Sequence, residues 1–132
     1  MSKKRIAVIP VFKHKGETKL FLVTSRVTGQ WIIPTGKYET LLSYRQVAKL
    51  EAFEECGVKG SIDKKFCKKI TTKISAKGPK RELRLYRMYV EKIHQKWPEK
   101  KQRERKLVPL NKISKWIGNK RFAKLVARFA TS

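Results

Sequence analysis

Three glutamates, Glu51, Glu54 and Glu55, stand within five residues of a chain that holds ten acidic residues against 34 basic ones. Carboxylates so close together can bind a hard divalent cation or take a proton from water. They sit in residues 43–56, SYRQVAKLEAFEEC, a stretch without Gly or Pro that reads as a helix. Ser43 is its expected N-cap and Gly57 its stop. At about 100° per residue, Tyr44, Val47 and Ala48 share a face with all three glutamates. The stripe that is apolar in the first turns therefore becomes acidic in the last one.

That placement is costly. The three charges are i, i+3 and i+4 neighbours, so they repel one another. They also lie at the C-terminal end of the helix, where its dipole disfavours each anion by roughly 0.3–1 kcal/mol. Lysines and arginines on neighbouring strands could neutralise them. Neutralisation alone does not explain acids gathered on the inward face at the unfavourable end. Mg²⁺ does, because it takes carboxylate oxygens and is usually shared with substrate phosphates. The residues alone do not rank the three: any of them could hold metal or take the proton.

The rest of the chain must position this helix. A length of 132 residues suits one domain with one core. KRIAVIPVFK and KLFLVTS read as strands joined by HKGE, and WII as a short strand before a Pro/Gly loop. Residues 59–74 and 81–92 read as two more strands, and 95–107 as a basic loop entering a last strand. Residues from about 110 to 131 read as one or two amphipathic helices, capped by Asn111. Strands mixed with a few helices predict an α/β fold with a mixed sheet. The basic cluster and apolar run at the start mimic a signal peptide. That run is short, contains Pro10 and meets Lys13, so a first strand is expected instead. No apolar run approaches the ~20 residues of a membrane span. Cys56 and Cys67 lack metal-ligand spacing, as expected of free thiols in a reducing cytoplasm.

The formal net charge of +24 exceeds what solubility requires and calls for a polyanionic partner. KKFCKKITTK and EKKQRERK would bind phosphate backbones without reading sequence, so nonspecific nucleic-acid affinity is expected too.

From Gly36, GKYETLLSYRQVAKLEAFEECGV resembles the Nudix box, G-x5-E-x7-R-E-U-x-E-E-x-G-U, where U is apolar. Gly36, Glu51, Ala52, Glu54, Glu55, Gly57 and Val58 match; Leu42 and Leu50 replace the first glutamate and the arginine. The flanks KKRIAVIPVF, FLVTSRVTGQWIIP and RERKLVPLNKI are similar to the diphosphoinositol polyphosphate phosphohydrolase branch and its bacterial relatives. The resemblance implies a single Nudix domain over 1–132, an α/β/α sandwich with the box at 36–58 and a Mg²⁺ or Mn²⁺ cofactor. By it, the Gly36 carbonyl, Glu51 and Glu55 would ligate metal, with Glu54 as general base. Several metals could share the three carboxylates. Phosphate ligands would come from Lys3, Lys4, Arg5, Ser25, Arg26, Lys37, Arg81 and Arg103. No aromatic base clamp is evident, which favours substrates recognised by phosphates: dinucleoside polyphosphates, inositol pyrophosphates or similar. The alternative is an inactive Nudix scaffold binding RNA or another polyanion.

Overall fold

The computed structural model describes residues 4–38, 41–74 and 78–132. Its elements run β1 (Lys4–His14), β2 (Glu17–Thr24), β3 (Trp31–Ile32), β4 (Thr35–Lys37), α1 (Tyr44–Cys56), β5 (Val58–Lys73), β6 (Lys80–Ile93) and β7 (Arg105–Pro109). A single 3-10 turn (Leu110–Lys112) then leads to α2 (Ile113–Trp116) and α3 (Lys120–Phe129).

The sheet is mixed, in the order β3-β2-β1-β6-β5, with β4 also on β1 and β7 also on β2. Strand β1 runs parallel to β6 and antiparallel to its other partners. Its apolar run has no polar alternation because both faces are covered. Ile6 and Val8 face α1 with Phe21, Val23, Tyr86 and Met88. Ala7, Ile9 and Val11 face the other way, toward Ile113, Ile117, Phe122 and Val126 of the C-terminal helices. The result is an α/β/α sandwich. Strand β1 pairs β4 through residues 5–7 and β2 through residues 11–14. Pro10 falls in the gap between, where a missing N–H removes no bond to either. Among the described residues no helix is long and apolar enough to cross a membrane.

Helix α1 forms as its end signals require. Ser43 accepts from the Gln46 N–H while the Gln46 side chain accepts from the Ser43 N–H, a complete capping box. Gly57 closes the helix at φ 71°. A Cβ there would also stand 2.7 Å from the Trp97 ring. Gly57→Ala is therefore expected to cost roughly 1–3 kcal/mol, measured by denaturant unfolding. A cost near zero would mean that Trp97 does not pack there.

The cap expected at Asn111 is not made. Asn111 lies in the 3-10 turn, and Asn119 caps α3 instead by accepting from the Phe122 N–H at 3.0 Å. Both asparagines precede apolar runs, but only Asn119 has extended backbone and a helix of ten residues after it.

Candidate active site and metal centre

Burial along α1 follows the expected stripe: Val47, Ala48, Ala52, Glu55 and Cys56 are buried, Glu51 and Glu54 half-buried. Glu55 is 3% exposed, a rare place for a carboxylate. Its Oε1 accepts from the Thr35 N–H of β4 at 3.2 Å, and its Oε2 lies 3.5 Å from Arg103 Nη2. Its side chain also shares a hydrogen bond with Glu51. Burial, and then that contact, push Glu55 up to about 9. Burial also raises Glu51, helped by the nearby charges of Glu54 and Glu99. The Arg103 contact, at 3.5 Å, offsets burial only in part, so both carboxyls are held above the ordinary glutamate range.

The same residues form one wall of a cleft of about 560 Å³. Arg5, Arg26, Lys37, Arg81 and Arg103 line it with Glu51, Glu54, Glu55 and Glu99; Ser25, Thr28, Thr35 and Gly36 add to its polar lining, and among the described residues no aromatic side chain lines it. Arg5 is lowered from its ordinary value by burial and by Arg81 beside it, and its Nε has no hydrogen-bond partner. Two adjacent arginines without a full complement of acceptors suit a phosphate. Ser25 Oγ already accepts from the Val27 and Thr28 N–H groups, which leaves its O–H to donate. Lys4 lies outside the lining, in register with Glu82, and Lys3 lies outside the described residues.

Of the four expected metal ligands, the fold brings Glu51 and Glu55 together, Glu51 against Gly36 and Glu55 on the neighbouring Thr35 N–H. Glu54 lines the cleft beside the pair, but among the described residues no three His, Cys, Asp or Glu side chains converge closely enough to hold an ion by themselves. The donor set still fits a divalent cation. A buried and a half-buried carboxylate are held in contact, and a cation between them would relieve their repulsion. Gly36 leaves the space: a Cβ there would lie 2.2 Å from Glu51 Cδ. Gly36→Ala is expected to leave the melting temperature within a degree or two, because a flexible side chain can swing away. It should weaken divalent-cation affinity by roughly 10–100-fold through the displaced carboxylate. An unfolded variant, or unchanged affinity, would contradict this.

Leu42 and Leu50 line no part of the cleft. They face an apolar groove with Phe53 and Met88 on the far side of α1.

The loop 94–104 is the part that sequence reasoning read only as basic. The last four carbonyls of α1 would ordinarily be orphans. Here Gly57 N–H meets Phe53 O, Glu99 N–H meets Glu54 O, Trp97 Nε1 meets Glu55 O and Arg105 Nη1 meets Cys56 O, at 2.9–3.2 Å. The Arg105 guanidinium stacks 4.1 Å from the Trp97 ring centroid and brings positive charge to the end of the helix where the dipole is negative. The loop also delivers Glu99, which binds Arg103 Nε at 2.7 Å and stands 3.7 Å from Arg26 Nε. Arg103 then donates to Thr24 O at 2.9 Å. Two sequence signals pointed here: a lone Trp in a lysine-rich run, and an acid in a chain with few.

No family model matches the sequence, and no curated protein does. Solved structures match the fold. A C. elegans Ap4A hydrolase superimposes with TM-score 0.77 at 16% identity, over 99% of this chain and 98% of that one. The NUDIX domain of Shewanella oneidensis NrtR, complexed with ADP ribose, gives 0.67 at 14% identity, over 100% and 90%. MutT, from a study of the Aliivibrio salmonicida and Vibrio cholerae proteins, gives 0.63 at 13%, over 98% and 97%. The chain has the Nudix fold. The helix that carries the three glutamates is α1, and the loop 94–104 closes over its end.

Proposed function

We propose that the chain is a metal-dependent pyrophosphohydrolase acting on a phosphate-rich small molecule, of the dinucleoside polyphosphate or inositol pyrophosphate class. The observation that carries this reading is the cleft: among the described residues four carboxylates face five cationic side chains, and no aromatic group lines it to stack on a base. Such a site recognises phosphates and offers carboxylates to water and metal. The C. elegans protein of the same fold is an Ap4A hydrolase, which supports dinucleoside polyphosphates within the class.

Mg²⁺ or Mn²⁺ held by Glu51, Glu55 and the Gly36 carbonyl would supply neutralisation of the pyrophosphate oxygens. Glu54, left outside the Glu51–Glu55 pair, takes the proton of the water that attacks phosphorus. Arg5 and Arg81 bind one phosphate; Arg26, Lys37 and Arg103 offset the charge that grows on the departing one as the P–O bond breaks. Glu99 orients Arg103 and Arg26 rather than reacting.

The test is phosphate release with Mg²⁺ or Mn²⁺ across dinucleoside polyphosphates, inositol pyrophosphate, phosphoribosyl pyrophosphate, nucleoside triphosphates and 5′-triphosphate RNA. Turnover by the wild type, lost in Glu54→Gln and Glu55→Gln, is the expected result. No turnover of any of them would sink the reading and leave a Nudix scaffold without hydrolysis.

A further inference from the structure

Residues 64–81 contain eight basic residues and no acidic one. The register of β5 and β6 sets like charges directly opposite each other: Lys69 against Arg84 and Lys73 against Lys80. Facing pairs share a side of the sheet, and Lys69 and Lys73, four residues apart, share it with each other. Between the two pairs Glu82 stands opposite Thr71, with Lys4 of β1 in register beside it. Five cations therefore surround one acid. No ion pair joins Lys69, Lys73, Lys80 or Arg84 to an acid among the described residues. Like charges placed opposite each other on adjacent strands destabilise the pairing.

Strand β5 is the sheet's edge, where lysines commonly block pairing with another chain. That accounts for Lys69 and Lys73. It does not account for Lys80 and Arg84, which lie on an internal strand.

We propose that this side of β5 and β6 is a docking surface for a nucleic-acid duplex, held through its phosphates and separate from the hydrolytic cleft. The two cation pairs stand roughly 13 Å apart along the strands, at about 3.3 Å per residue. A phosphate backbone spans that distance; a single pyrophosphate group does not. Bound phosphates would also remove the repulsion between the facing cations. A duplex fits better than a single strand because, among the described residues, the one exposed ring beside the patch, Tyr38, is packed edge-on against Tyr44 with centroids 4.6 Å apart. Tyr86 is buried, and Tyr44 is covered by Arg84, whose guanidinium lies 4.3 Å from its ring centroid.

The experiment is fluorescence anisotropy with a short labelled duplex, made once as RNA and once as DNA, between about 50 and 200 mM salt. Three proteins are compared: wild type, the triple variant Lys69→Gln/Lys73→Gln/Lys80→Gln, and a control carrying Lys120→Gln/Arg121→Gln/Lys124→Gln on α3. Each phosphate contact contributes about 0.9 to the slope of log affinity against log salt. The β5–β6 triple should flatten the slope by nearly three such contacts and weaken binding at least tenfold, while the α3 control changes little. Its melting temperature should equal or exceed the wild type's, and its hydrolysis of a small pyrophosphate should be unaltered. Equal losses in both triples would show attraction to net charge alone and overturn the proposal. So would displacement of the duplex by Mg²⁺ with pyrophosphate, which would place it in the cleft. Binding to phosphatidylserine vesicles but to neither duplex would overturn it in favour of a membrane surface.

Discussion

Glu55→Gln is expected to abolish turnover and at the same time raise the melting temperature of the metal-free protein. On the proposed function, the loss of activity follows from removing a carboxylate that would hold the cation. The gain follows from the environment of Glu55. It is buried, touches a second carboxylate and is held up to about 9, against 4.5 for an exposed glutamate. The folded state binds this proton more tightly than the unfolded state does. The resulting stability is therefore complete below 4.5 and is lost as pH rises through about 9. A neutral glutamine keeps an oxygen for the Thr35 N–H and gains an N–H for Glu51 without ionising. Melting curves in chelator should then show a wild type that softens from neutral to alkaline pH and a flatter Gln variant. Adding Mg²⁺ should raise the wild type and leave the variant where it was. A Gln variant less stable than wild type at alkaline pH without metal would contradict the argument.

Arg103→Ala carries the largest expected cost in stability. The Arg103 side chain is 7% exposed and satisfies three partners at once: Glu99, Glu55 and the Thr24 carbonyl. Removing one partner of a buried charge pair typically costs about 3–5 kcal/mol, because the other charge is stranded. Arg103→Lys should recover part of it, since one ammonium cannot reproduce the fork. Denaturant unfolding of both variants measures the two losses. A cost below about 1 kcal/mol for Ala would mean that Glu99 finds another cation, with Arg26 the nearest. The arginine also answers a question that the sequence raised. Leu50 stands where the Nudix box has an arginine, and the cation beside Glu55 comes instead from Arg103, 48 positions after Glu55 in the chain.

What could be read from the sequence was local. Ser43 and Gly57 bound the helix because caps act within four residues, and the acidic continuation of its apolar stripe put Glu55 inside. The spacing of the box pointed to Gly36, whose need for space beside Glu51 the structure makes plain. The cationic wall was harder to place. Arg5 and Arg81 meet Arg26 and Lys37 in one cleft only because β1 lies between β4 and β6, and no residue spacing encodes that. Asn111 reads as the cap from the sequence while Asn119 makes it, because the residues do not show which of them precedes a full helix. Trp97, Glu99 and Arg105 were missed for the same reason. Each binds α1 across about forty residues or more, and the apparent character of their segment was simply a run of lysines.

The closure of α1 by the loop 94–104 makes opening a shared event. Two of the helix's last carbonyls, those of Glu54 and Glu55, are bonded to the Glu99 amide and the Trp97 side chain, in the same loop as Arg103. Loosening one end releases both walls of the cleft. In native-state hydrogen exchange, the amides of Gly57 and Glu99 should therefore exchange with one opening free energy, as a single cooperative unit. A ligand that bridges the carboxylates and Arg103 would slow exchange at both by the same factor. The residues that perform chemistry and those that merely end a helix would then rise and fall in protection together.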